Sequence, residues 1–144
     1  NFEEKYPVAK IKNVYDFHKY GAHNSNKLIY WSVFQMLTTL LLVSYLYFSI
    51  EKIGITNVFI YGIFIFLSVY SYSELMDTRK FSLFWESIRF VFGITIISYL
   101  GNWFGIDQII PYGTYTIIGL LSVSLLVTIY FVSTNFKSEK LVLN

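Results

Sequence analysis

The sequence predicts an all-α integral membrane protein: four transmembrane helices in an up-down bundle behind a polar N-terminal leader. Three observations predict it. Of the 144 residues, 55% are apolar and only 14% charged, where a soluble domain carries roughly 25% charge. Four long stretches are almost free of charge, and the remaining charges fall between them. The basic residues gather on one side of the implied topology, nine against one. The same composition excludes other classes. The chain is too apolar for a disordered protein. With no cysteine, it cannot be a disulfide scaffold, a thiolate metal site or a thiol enzyme. A net charge of +2 is too small to argue for nucleic acid as a partner.

The elements follow in order. Residues 1–27 hold eight charges, Glu3, Glu4, Lys5, Lys10, Lys12, Asp16, Lys19 and Lys27, and form the leader. Val8, Ile11, Val14, Tyr15 and Phe17 give it a loose apolar stripe. That stripe suits a helix on the membrane surface or an extended segment packed against another domain. Spans are expected at 28–50, 55–74, 82–103 and 113–134, so that 28–136 forms the transmembrane domain and 137–144 a polar tail. A bilayer core of about 30 Å needs about 20 apolar residues at about 1.5 Å each. The runs 28–50, 53–73 and 108–136 meet that length without a charge, and the third span carries only Glu86 and Arg89. Strands of a membrane barrel alternate apolar and polar residues, which Leu40-Leu41-Leu42-Val43 and Phe64-Ile65-Phe66-Leu67 do not. The first span starts too late, runs too long and lacks the small-residue site of a cleavable signal peptide.

Turn and interface residues support these bounds. Gly54 and Asn57 mark a tight turn between spans one and two. Pro111 stands just ahead of span four, where a missing N–H costs little. Gly101 to Gly105 fits a GxxxG contact, but its place at a helix end favours a helix stop. Tyr30 and Trp31 open span one, Tyr70 and Tyr72 close span two, Trp85 opens span three, Tyr99 and Trp103 close it, and Tyr112, Tyr115 and Tyr130 flank span four. Rings at those places form an interfacial belt. Nine of the Lys and Arg residues lie on the side of the termini and the 74–81 connection, and Lys52 alone lies opposite. The positive-inside rule then puts both termini in the cytoplasm.

Little in the chain carries chemistry. There are two histidines, His18 and His23, and their spacing of five does not match the i,i+3 and i,i+4 spacing of paired helical ligands. No phosphate loop or nucleophile elbow occurs, so no catalytic, cofactor or metal residue is assigned. Span hydroxyls are expected to bond back to their own helix. Glu86 and Arg89 stand apart: a charge within a span costs about 2.5–3.5 kcal/mol. Three residues apart, they share a helix face and can pair. They read as an ion pair facing other helices or the headgroups, or as a pocket or pathway pair. Asp77, Arg79 and Lys80 form a charged cytoplasmic turn that sets topology or docks a cytoplasmic domain or anionic headgroup.

The stretch Leu67-Ser-Val-Tyr-Ser-Tyr-Ser-Glu-Leu-Met-Asp-Thr-Arg-Lys-Phe-Ser-Leu-Phe-Trp-Glu-Ser-Ile-Arg89 resembles the C-terminal membrane region of alkylglycerol monooxygenase-like proteins, in the fatty acid hydroxylase or sterol desaturase superfamily. The shared features are a span ending in small polar residues, Asp77 with a basic residue two later, and a new span beginning with Glu86 and Arg89. The leader from Tyr6-Pro7-Val8 to Tyr15-Asp16 resembles the linker to that tail, so the resemblance covers nearly the whole chain. It implies an accessory membrane domain following the catalytic part of a lipid-modifying oxidoreductase. Its partners would be the bilayer and that N-terminal catalytic domain. The family's di-iron centre is held by histidine boxes that this chain lacks, so the cofactor is implied for the parent protein alone. Alternatives are an independent four-helix transporter subunit, or a membrane anchor or assembly protein forming homo-oligomers through Gly62, Gly93, Gly101 or Gly119. Proton-coupled export is disfavoured, since span one has Gln35 rather than an acid.

Overall fold

The computed structural model describes residues 25–78 and 81–142, with side chains to residue 134. The leader with His18 and His23, the turn residues Arg79 and Lys80, and the side chains of the tail lie outside the described residues. Among the described residues there are four α-helices: α1, Asn26–Ile53; α2, Ile55–Met76; α3, Ser82–Leu100; and α4, Gly113–Val142. A 3₁₀ turn, Ile106–Gln108, lies between the last two, and no strand occurs among the described residues. Each helix packs on the next in sequence, giving an antiparallel up-down ring. One end, here the near end, carries the start of α1 and the α2–α3 connection. The far end carries the α1–α2 turn and the connection 101–112.

All four helices are long and apolar enough to cross a membrane. What they bury argues for bilayer contact as strongly as what they expose. Among the described residues thirteen apolar and thirteen polar or charged residues are buried. Leu41, Phe48, Phe59, Phe66, Val91 and Leu126 are meanwhile exposed. A water-soluble surface does not carry apolar patches of that extent. Lipid tails remove the hydrophobic drive for helices to associate, so small and polar residues line the contacts instead. Each helix accordingly turns a stripe at three- and four-residue spacing inward: Leu28, Ser32, Gln35 and Thr39 on α1, and Ser82, Glu86, Arg89, Gly93 and Ile96 on α3.

Local chemistry explains the boundaries. The Ser25 side chain accepts from the Leu28 N–H at 3.3 Å, capping α1 and starting it two residues before the expected position. Gly54 alone turns the chain from α1 into α2, at φ 80° and ψ 150°, a conformation open to glycine. Asn57 belongs to the first turn of α2, where its amide donates to the Ile53 carbonyl at 3.1 Å, one of the acceptors that the end of α1 leaves unpaired. Gly101, left-handed at φ 75°, stops α3 three residues earlier than expected, so the helix-stop reading of the 101–105 segment holds over the contact reading. The backbone of α4 runs on to Val142, past the end expected for span four.

The early stop corrects the placement of Trp103. It does not close α3 in an interfacial belt; it folds back into the far end of the bundle and is 0% exposed. Its ring meets Phe64 and Tyr61 edge-on, with centroids 4.6 and 5.4 Å away. Its indole N–H donates to the Tyr61 hydroxyl at 3.3 Å, and that hydroxyl donates to the Leu42 carbonyl at 3.0 Å. Tyr45 donates to the Phe104 carbonyl at 2.9 Å. The connection thus fastens back onto α1 and α2. Tyr99, by contrast, is 86% exposed, and Tyr30, Tyr112, Tyr115 and Tyr130 are exposed as belt residues are.

Asp107 fixes the start of α4. Its carboxylate accepts from the Thr114 backbone N–H at 2.9 Å and from the Thr114 hydroxyl. The same hydroxyl accepts from the Trp103 N–H at 2.9 Å. The hydroxyl bond from Thr114, and then the backbone bonds at this helix start, hold the Asp107 carboxyl below its ordinary value near 3.8. A depressed folded-state value stabilises the fold above the unfolded value and stops doing so as pH falls through the folded one. Asp107→Ala is therefore expected to lower the unfolding midpoint by an amount that is constant at neutral pH. The difference should begin to narrow as pH falls below about 4 and go on narrowing as it passes the lower folded-state value. Melting curves of both proteins from pH 7 to pH 3 read this directly.

Gly93 sets how close α3 comes to its neighbours. A Cβ there would lie 2.7 Å from Leu121 Cδ1 on α4 and 3.1 Å from Phe64 Cε2 on α2. Gly93→Val should cost about 1–3 kcal/mol by overpacking. Combined with Leu121→Ala, which vacates the space, it should cost less than the two single changes added together. Strict additivity in the double-mutant cycle would show that the helices are not held at this point. Gly62 and Gly119 have open space around them, so neither brings helices together within the bundle.

Candidate functional site

Glu86 and Arg89 project from α3 into the middle of the ring. Glu86 is 0% exposed and Arg89 6%. They lie about 6 and 10 Å along the helix from Ser82, at about 1.5 Å per residue. Helical spacing puts them on one face, and the structure brings them together, Arg89 Nη2 to Glu86 Oε1 at 2.7 Å. The other partners come from the three remaining helices. Ser71 of α2 donates to Glu86 Oε2 at 2.5 Å. Arg89 Nη1 donates to Gln35 Oε1 of α1 at 3.0 Å, and Nη2 donates to Ser124 Oγ of α4 at 2.6 Å. A single ion pair thus carries a hydrogen bond to every helix of the bundle.

The arrangement follows from the solvent. In a hydrocarbon surround a lone charge is costly, so an intramembrane ionisable group turns inward and pairs. Arginine suits the centre of such a hub because its planar head offers five donors in a fixed fork. The carboxylate offsets the charge, so the hub as a whole is neutral. Gln35 is 5% exposed. Its amide orientation follows from its bond to Arg89, since only the oxygen can accept.

Three of these residues were not singled out by the sequence. Ser71 and Ser124 were expected to bond within their own helices, and they bond to Glu86 and Arg89 instead. Many other hydroxyls do bond back, among them Thr39 to the Gln35 carbonyl, Ser68 to Phe64 and Thr95 to Val91, at 2.8–2.9 Å. Gln35 was noted only for not being an acid. The available signal is register: Ser71, Gln35 and Ser124 all lie on the buried stripe of their helix. Of the expected charged turn, Asp77 is exposed at the end of α2. Glu74, one turn earlier, is buried.

A cleft reaches this hub from the side. α1 and α4 close the ring least tightly. They share an apolar cluster at the near end, where Leu28 and Trp31 meet Phe131, Val127 and Leu75. Beyond it, Phe34, Gln35 and Leu42 of α1 and Ile117, Leu120, Leu121 and Ser124 of α4 line a cleft, with Phe64 and Arg89 at its back. Three residues that line it, Trp31, Gln35 and Arg89, each hold a buried donor (Nε1, Nε2 and Nε) with no acceptor among the described residues.

Among the described residues there is no group of three or more His, Cys, Asp or Glu placed to hold a metal ion. The hub itself is a poor ligand set: its single carboxylate is engaged by a guanidinium and a hydroxyl, and a cation there would face Arg89. Fold and site together define a polytopic helical membrane protein with a neutral polar hub in an otherwise apolar bundle. No family model, curated protein or solved structure matches the chain.

Proposed function

We propose that this chain is an accessory transmembrane domain of a lipid-modifying membrane oxygenase of the sterol desaturase or fatty acid hydroxylase kind. In that role it would support the catalytic part of its parent and hold no reaction centre of its own. The observation that carries the supporting role is the hub. Its charged groups are spent on neighbouring helices, which is what bracing requires and what proton or ion transfer does not. The parent's chemistry is supported by the resemblance of residues 67–89, in which the hub's Glu86 and Arg89 are shared features. On this reading the di-iron centre and the oxidoreductase activity belong to the preceding catalytic domain. The nine-to-one bias of basic residues supports termini that face the cytoplasm.

Two measurements test it. Reading the coding DNA upstream of Asn1 should reveal an in-frame extension with histidine-rich boxes. A start codon at that boundary sinks the proposal and leaves an independent four-helix membrane protein. In the full-length protein, Glu86→Ala should lower abundance in the membrane more than specific activity per folded molecule. Normal abundance with abolished turnover would falsify the bracing role.

A further inference from the structure

The far end of the bundle holds a cavity of about 250 Å³ between the last turns of α1, the start of α2 and the segment 100–109. We propose that it binds the headgroup of an anionic phospholipid of the far leaflet, with the phosphodiester on Lys52 and an uncharged, hydroxyl-bearing headgroup alcohol against the amides of Asn57, Asn102 and Gln108. This inference uses the membrane-spanning fold alone and does not depend on the parent's activity.

Position, charge and wall chemistry define that class. Lys52 lies in the last turn of α1, past the uncharged run 28–50 and hence at headgroup level. It is the lone basic residue of the far end. Lys52 lines the cavity and is exposed. Glu51 and Asp107, the carboxylates of that end, do not line it, and Asp107 is engaged by Thr114. The cavity wall therefore has one positive charge and no negative one. A phosphodiester carries a single negative charge that balances it, and lysine is a recurrent phosphate binder. A zwitterionic headgroup would bring an ammonium group that meets no carboxylate there, whereas a headgroup of hydroxyls brings none. The amides suit hydroxyls because they donate and accept. Asn102 Oδ1 is taken by the Gly105 N–H at 2.6 Å, which leaves its own N–H groups to donate. Asn57 spends an N–H on the Ile53 carbonyl and keeps its oxygen to accept. Leu100, Phe104 and Ile109 form the apolar part of the wall, and Ile109, 47% exposed, carries it out toward the lipid chains. The volume lies just below the roughly 300–1,000 Å³ of pockets that enclose whole small molecules, which suits a headgroup whose chains stay in the bilayer.

Native mass spectrometry of the whole chain, released from dodecyl maltoside with one lipid added at a time, tests the proposal. Phosphatidylglycerol and phosphatidylcholine with the same acyl chains are compared, and free glycerophosphoglycerol supplies the headgroup without chains. In the unaltered protein phosphatidylglycerol should bind on the order of tenfold more tightly than phosphatidylcholine, the scale of one hydrogen bond to a charged group. Lys52→Gln should remove that preference at an unchanged melting temperature in lipid-free micelles. Gln108→Ala, also at an exposed position, should weaken phosphatidylglycerol several-fold and leave phosphatidylcholine unchanged. Lys27→Gln, at the near end, should keep the preference intact. Equal binding of the two lipids by the unaltered protein would overturn the proposal. A preference that survives Lys52→Gln, or is lost in Lys27→Gln, would overturn the site. Glycerophosphoglycerol binding as tightly as the lipid would overturn the membrane lipid as occupant in favour of a soluble phosphodiester.

Discussion

Arg89→Ala should destabilise the bundle by about 3–5 kcal/mol, the cost of breaking a buried ion pair from one side. The loss is large because the change orphans more than one group. Glu86, 0% exposed, would keep only the Ser71 hydroxyl, and Gln35 and Ser124 would lose the donor that ties α1 and α4 to α3. Membrane abundance and the unfolding midpoint in mixed micelles should both fall sharply. The paired change Glu86→Leu with Arg89→Met should recover much of the stability, because replacing a buried ion pair with apolar groups of similar size is often neutral. A double variant as unstable as Arg89→Ala would show that the cost lies in lost packing rather than in an unpaired carboxylate.

Trp103→Ala should cost a similar amount, about 3–5 kcal/mol, typical for removing a large buried aromatic side chain. The indole fills the far end of the ring against Phe64 and Tyr61, and its removal also takes away the N–H that binds the Tyr61 hydroxyl. Trp103→Phe keeps most of the volume and should cost about 1 kcal/mol, the net value of one hydrogen bond, plus a small packing loss. Tyr99→Ala is the control. Exposed at 86%, Tyr99 should shift the unfolding midpoint little in micelles. Similar effects of Trp103→Ala and Tyr99→Ala would mean that both rings serve the interface.

These two residues show what periodicity reveals and what it cannot. Glu86 and Arg89 were legible from spacing alone: two charges three apart in an apolar run must share a helix face, and the cost of burying either makes a partner obligatory. Trp103 was misplaced for an equally physical reason. Tryptophan at a helix end satisfies the belt pattern whether its ring turns outward or back onto the core. The left-handed Gly101 and Gly105, with the Asn102 side chain accepting from the Gly105 N–H at 2.6 Å, turn the chain inward. Gly93 was noted as a possible contact residue, but the sequence did not tell its buried position from the open ones at Gly62 and Gly119. That distinction depends on which neighbour faces each glycine.

The sequence by itself determined the solvent, the number of spans and their alternation. Those depend on transfer free energies summed along the chain: a bilayer accepts about 20 uncharged residues and rejects the charges between them. It also determined that Glu86 and Arg89 would face each other, since an α-helix fixes that geometry locally. Only the tertiary structure decided that the pair would bind all four helices, through Ser71, Gln35 and Ser124. A hydroxyl in a span can bond to its own helix or to a neighbour at similar energy. Which it does depends on whether helix packing brings a charged partner within 3 Å, and that information lies between helices rather than along them.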